Sequence, residues 1–224
     1  MNGATLHPKP VPGSRFPVPG PRFSVNLQYN LAAMLPDCRS PKAAELIKML
    51  DEAVDLDCMK GRCEKVKEVL ESVFNSDDEF LEPEFLVPAP EKYARRLLYR
   101  DPAERYSVVA MVWDVGQGTP LHDHAGEWCV ECVYRGKIEV TSYDIEGSPE
   151  DPIVQFHPEK TVFAGVGEAG ALIPPFEYHT IKNALPDKPT VTVHVYGHEL
   201  TWCHIFVPVE GGFQRVRKEL CYTM

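Results

Sequence analysis

The sequence predicts a mainly β chain, one barrel or sandwich preceded by a small helical part. Three observations predict it. From Ser107 onward, short runs rich in Val, Ile, Thr, Tyr, Phe and Trp recur, split by Gly, Pro and Asp, the texture of an all-β fold. Two apolar stripes at helical period come before those runs. The length, 224 residues, suits one such domain.

Taken in order, residues 1–40 are Pro- and Gly-rich and are expected to be irregular, because Pro breaks both helix and ladder. Residues 41–100 are expected to form a helical part packing on the barrel, and residues 101–224 the barrel itself. Within the helical part, 41–55 put Ala44, Leu46, Ile47, Leu50, Ala53 and Val54 on one face. Pro41 falls in the first turn, where its missing N–H costs nothing. A second helix runs from about Arg62 to Phe74 on Val66, Val69, Leu70 and Val73. Residues 75–90 carry acidic and Pro-rich loop signals. The candidate strands are 107–114, 127–134, 137–144, 161–164, 171–174, 178–185, 190–197, 202–209 and 213–220.

Composition excludes several functions. Lys and Arg number 23 against 33 Asp and Glu, a net charge of −10, which argues against a nucleic-acid footprint and against a polybasic membrane-surface binder. No apolar run approaches the ~20 residues of a membrane helix, and the N-terminus lacks a secretory pattern, so a cytoplasmic location is expected. The seven cysteines are odd in number and scattered, which suits reduced thiols better than a disulfide scaffold.

Histidines carry the chemistry. His122-Asp-His124 stands at the entrance of a strand, where residues two apart face the same way and can reach one ion. His179 opens a later strand, and three neutral imidazoles on a rigid wall suit a divalent first-row metal. Glu127 and Glu131 are nearby carboxylates that could compete as ligands. Thr192, His194 and Tyr196 share one strand face, so a hydroxyl, an imidazole and a phenol could form a hydrogen-bonded relay into the barrel. Cys129 and Cys132, three apart on a strand, point to opposite faces and do not make a redox or zinc pair.

The spacings carry a resemblance. Gly116, five residues, His122-x-His124, four residues, Cys129, six residues and Gly136 has the spacing of the first cupin motif, with Cys129 where the Glu ligand stands. Pro174, His179 and Asn183 have the spacing of the second, with Phe176 at its glycine position. The chain therefore resembles the cupin superfamily, whose barrel is a double-stranded β-helix or jelly roll. Within it, Cys in place of Glu resembles the thiol dioxygenases, most closely the cysteine dioxygenases. That resemblance covers roughly residues 90–207.

The resemblance implies a three-His Fe(2+) site at His122, His124 and His179. It implies a thioether cross-link between Cys129 and Tyr196, and a Ser-x-His-x-Tyr strand matched here by Thr192, His194 and Tyr196. It also implies a substrate carboxylate held by a Tyr-x-Arg pair, Tyr93 and Arg95, with Arg96 the neighbouring candidate. The expected reaction takes L-cysteine and O2 to cysteine sulfinic acid, in a monomer or weak homo-oligomer. The alternatives are a dioxygenase for 3-mercaptopropionate or another mercapto-acid, and a cupin that binds a metal or ligand without chemistry.

Overall fold

The computed structural model describes residues 40–75, 79–175 and 177–223. All of them fall within one compact unit, Leu31–Met224. The expectation for residues 1–40 therefore lies almost wholly outside the described residues, as does the residue at the motif's glycine position, Phe176.

Two helices lead. α1 spans Pro41–Val54 and starts where Ser40 Oγ accepts the Ala43 N–H at 3.1 Å, with the proline in the first turn. α2 spans Met59–Phe74, one turn earlier than the apolar stripe indicates, because the Cys58 sulfur caps the Gly61 N–H. Ala44 is exposed and its neighbour Ala43 is buried, which corrects the expected α1 face by one position. The other expected apolar positions of both helices are buried.

Ten strands follow: β1 Ala94–Arg100, β2 Ser107–Trp113, β3 Cys129–Arg135, β4 Lys137–Glu146, β5 Gln155–Gly165, β6 Ala169–Leu172, β7 His179–Asn183, β8 Thr190–Tyr196, β9 Trp202–Val209 and β10 Gly212–Glu219. β1–β2–β8–β3–β6 form one antiparallel sheet. β5–β4–β7 and β10–β9 form the other layer. The segment Gly118–Asp123 stitches that layer together, through bridges from Gly118 to Lys182 and from His122 to both His179 and Ile205.

The five-stranded sheet is covered on both faces. Val108, Ala110, Val112, Val130, Cys132, Val191, Val193 and Val195 pack with the helices, and α2 lies against β3 and β6. The alternate residues Val109, Met111, Trp113, Cys129, Val133 and Tyr196 face the barrel interior. Cys129 and Cys132 accordingly fall in different clusters, as the strand period requires. Every residue of β2 and β8 is buried, and a strand buried on both sides reads as a continuous apolar run.

β1 and β5 depart furthest from the sequence reading. β1 lies within residues expected to be helical, so the sheet begins at Ala94 rather than at 101. Its charged ARRLLYR run hides the pattern, and a register shift between Leu97 and Tyr99 breaks the alternation. β5 starts at Gln155, not Thr161, and passes through Pro158. That proline is tolerated because β5 is an edge strand and the register shifts between Ser142 and Tyr143 opposite it.

A polar knot fixes the helices to the sheet. Arg105, in the β1–β2 turn, reaches Asp101, Asp55 and Asp51 of α1, and the Tyr106 hydroxyl also donates to Asp51. Burial opposes the Asp101 charge, but the Arg105 contacts outweigh it and hold its pKa below the usual carboxylate value. Among the described residues no helix is long and apolar enough to cross a membrane.

Candidate metal centre and substrate pocket

His122, His124 and His179 converge, with ligand atoms all within 4.8 Å of one another. Backbone pairing produces the convergence. His122 N–H donates to His179 O and His179 N–H donates to His122 O, both at 3.2 Å, so the two residues sit opposite each other. His124 follows on the same side, and Asp123 between them points the other way. There Asp123 Oδ1 accepts the His204 N–H and Oδ2 meets His204 Nδ1, both at 2.8 Å, pinning the His-Asp-His turn to β9. The motif glycines have a conformational cause, since Gly116 and Gly136 have φ of 77° and 90°. A Cβ on Gly136 would also collide with Thr190.

The donor set fits a divalent cation. His122 Nδ1 faces Pro120 O at 3.1 Å and His179 Nδ1 faces Glu177 O at 2.8 Å, which leaves both Nε2 atoms free for a metal. His124 Nδ1 is buried without a hydrogen bond, 3.7 Å from Glu177 Oε2. Burial lowers the pKa of all three, and neighbouring imidazoles lower His124 and His179 further, so each ring is neutral, as a metal ligand must be. Neither Glu127 nor Glu131 joins this group. Glu177 escaped the sequence reading because only the fold brings its buried carboxyl beside His124; burial pushes its pKa up to about 7.

Cys129 and Tyr196 are direct cross-strand partners on β3 and β8, as are Glu131 and His194. Opposed residues on one face have Cβ atoms roughly 5 Å apart. Thr192 Oγ1 accepts the Trp113 indole N–H at 2.9 Å and lies 2.7 Å from His194 Nε2. A hydroxyl donates one hydrogen bond and accepts two, so either His194 tautomer satisfies this pair, and the ring's other nitrogen is Nδ1. That atom faces Cys129 Sγ at 3.8 Å and Glu131 Oε2 at 3.4 Å. Burial pushes His194 down to about 3 and Glu131 up to about 8.

The expected relay is made only in part. Thr192 and His194 are joined, but the Tyr196 hydroxyl donates to Met111 Sδ at 3.8 Å instead. The two rings lie nearly parallel, 15° apart with centroids at 5.9 Å, so the His194 edge is turned toward Thr192 and Cys129 rather than the phenol.

A cavity of about 30 Å³ joins these groups, lined by the three histidines, His194, Tyr196, Tyr93 and Arg95, among others. A vestibule of about 520 Å³ shares Tyr93, Arg95, His122 and Cys203 with it and opens outward. Strand alternation settles which guanidinium lines the cavity: Arg95 does, and Arg96 points to the other face. Arg95 is 4% exposed, its Nη2 donates to Leu200 O at 2.6 Å, and its Nη1 has no hydrogen bond. The Tyr93 ring lies tilted against Trp113 with centroids at 4.6 Å, and burial raises its hydroxyl pKa. Cys203 borders both cavities.

This barrel, with three imidazoles converging at one end, defines a cupin with a three-histidine site. The cysteine dioxygenase type I family matches residues 36–208. The chain belongs to that family. The match reaches back across both helices, which the motifs alone do not cover. Cysteine dioxygenase type 1 of Rattus norvegicus and that of Mus musculus are each 23% identical over 174 residues, 77% of this chain and 82% of theirs. Among solved structures, a Thermus thermophilus protein aligns with TM-score 0.39 and 19% identity over 51% of this chain and 91% of its own. An uncharacterized conserved protein with a double-stranded β-helix domain from Klebsiella pneumoniae aligns with TM-score 0.41 and 18% identity, over 55% and 86%.

Proposed function

We propose that this chain is a non-haem iron thiol dioxygenase acting on L-cysteine and giving cysteine sulfinic acid. One observation carries the reading. Three neutral imidazoles with no carboxylate among them share a cavity with a buried guanidinium whose Nη1 lacks a partner. A buried cation with a free donor calls for an anion, and a planar guanidinium grips a carboxylate best.

The Nε2 atoms of His122 and His179 and a ring nitrogen of His124 would hold Fe(2+), which supplies a redox-active Lewis acid that favours a thiolate and activates O2. The remaining work belongs to the side chains. Arg95 Nη1 takes the substrate carboxylate, and Tyr93, kept protonated by burial, donates to it from the same cavity wall. Tyr196 is likewise protonated, its pKa raised by burial and by Cys129, so its hydroxyl is a donor toward the reacting sulfur or oxygen. Thr192 and His194, hydrogen-bonded to each other, hold the back of that wall. The balance is R–SH + O2 → R–SO2H: sulfur loses four electrons, O2 gains them, and no other reductant is needed.

The direct opposition of Cys129 and Tyr196 supports a thioether between them. Its formation breaks the Cys129 S–H and one ring C–H and passes two electrons and two protons to O2. The link would lock the phenol rotamer and preorganise the site. The six described cysteines are all free, which supports a reducing, cytoplasmic setting.

The test is anaerobic iron loading of the purified protein, then O2 uptake and product mass spectrometry with L-cysteine, 3-mercaptopropionate and cysteamine. Cysteine gaining two oxygen atoms, with kcat/KM above that of the other thiols, is the expected result. Preference for the amine-free acid would reassign the substrate. No uptake with any thiol would leave a binding protein without chemistry.

A further inference from the structure

The last described residues, Leu220–Thr223, lie beyond the family-matched segment, which ends at 208, and they close over Arg95. The closure is specific. Thr223 N–H donates to Arg95 O at 2.6 Å, and Arg95 N–H donates to Thr223 Oγ1 at 3.0 Å, clamping the strand at the arginine itself. Leu220 N–H donates to Thr201 O at 2.8 Å, and the leucine side chain borders both the inner cavity and the vestibule. Between these two anchors the Tyr222 ring lies 4.9 Å from the Arg95 guanidinium carbon, closer than the Tyr196 ring at 5.9 Å. The Tyr222 hydroxyl donates to Glu199 Oε1 at 3.1 Å, and Glu199 is itself paired with Arg100.

We propose that Leu220–Thr223 is a strap whose Tyr222 is a positioning residue for Arg95, aiming the guanidinium at the carboxylate of a short thiol acid. This rests on the reading of Arg95 as the carboxylate anchor. The geometry fits the task. Among the described residues no carboxylate pairs with Arg95; the aromatic face and the Leu200 carbonyl hold the cation instead. A ring face attracts a cation without neutralising it, so Nη1 stays free for an anionic ligand. A carboxylate partner in the same place would compete with the substrate.

The experiment is anaerobic calorimetric binding of L-cysteine, which has a carboxylate, and cysteamine, which lacks one, to the iron-loaded full chain. Tyr222→Leu is expected to weaken cysteine binding about tenfold, the scale of a desolvated cation–π contact, and to leave cysteamine within about twofold. Tyr222→Phe keeps the ring and is expected to restore cysteine affinity to within about threefold. Circular dichroism checks the fold, and Tyr222→Met carries the same test if the leucine variant is misfolded. Cysteine affinity unchanged in the Leu or Met variant overturns the proposal, and so does an equal loss for both ligands, the mark of a merely structural role. Wild-type protein that binds cysteamine as tightly as cysteine overturns the carboxylate-anchor reading, and the strap proposal with it.

Discussion

The two layers that enclose the site are built on opposite terms. β2 and β8 are buried along their whole length, with helices on one side and the barrel interior on the other. β5 and β10 are mostly exposed, and Val162 and Phe163 of β5 and Val216 of β10 look outward. The buried sheet carries Arg95, Cys129, Thr192, His194 and Tyr196, the groups whose alignment has to be held. The outer layer carries His179, and the chain from Gly118 onward, bridged into that layer, carries His122 and then His124, the other two candidate ligands; His122 borders the vestibule. The lesson is a contrast in packing: a doubly packed wall fixes side-chain orientation, and a thinner rim carries the candidate ligands and the opening.

The sharpest way to break that comparison is at the rim. His179→Ala is expected to abolish iron binding and activity, because it leaves only two imidazoles of the candidate site. Metal analysis after loading checks it, and a variant that keeps one iron per chain would contradict the assignment. At the wall, Tyr196→Phe keeps the ring but removes the hydroxyl, and with it the phenol that a thioether to Cys129 would need. Its turnover is expected to fall roughly 10–100-fold, the scale of groups that act around a metal. Steady-state kinetics decide, and wild-type kcat would remove the hydroxyl from the mechanism.

Stability sharpens the same contrast. Val193→Ala, at a fully buried position between sheet and helices, is expected to cost about 1–3 kcal/mol. Val162→Ala, exposed on β5, should change stability by less than about 0.5 kcal/mol. Urea titrations of the two variants make the comparison directly, and equal costs would show that the layers are not packed differently.

Glu131 supplies the smallest and most diagnostic effect. Its folded pKa is pushed up to about 8 from an ordinary 4.5. Between those values the folded protein keeps a proton that the unfolded chain releases, so stability declines as pH rises through that window and levels off above it. Glu131→Gln removes the titration. The variant is expected to gain several degrees in Tm over wild type at pH 8 and little at pH 4.5. A gain independent of pH would mean that Glu131 does not titrate in the fold.

Much of this molecule was legible from its sequence. All nine expected strands form, because β-branched alternation and Gly or Pro punctuation act locally. The candidate ligand trio was nameable from residue type and spacing, although His122 and His124 lie outside the named strands, on the segment before β3. β1 was hidden by its charges, which make sense only once Arg95 and Arg96 are seen on opposite faces of a buried strand. The Thr192–His194–Tyr196 relay was over-read: a shared face brings side chains together, but ring planes and hydrogen-bond edges are set by what packs around them.

The sequence by itself determined the element types, the motif glycines and the residues able to hold a metal, all consequences of backbone period and side-chain chemistry. Only the tertiary structure decided that Cys129 opposes Tyr196, that Glu131 is buried beside His194, and that Tyr222 covers Arg95. Those pairings span tens of residues or more, and local preference does not encode them. They are set by strand register and by which chain end the barrel leaves beside its mouth.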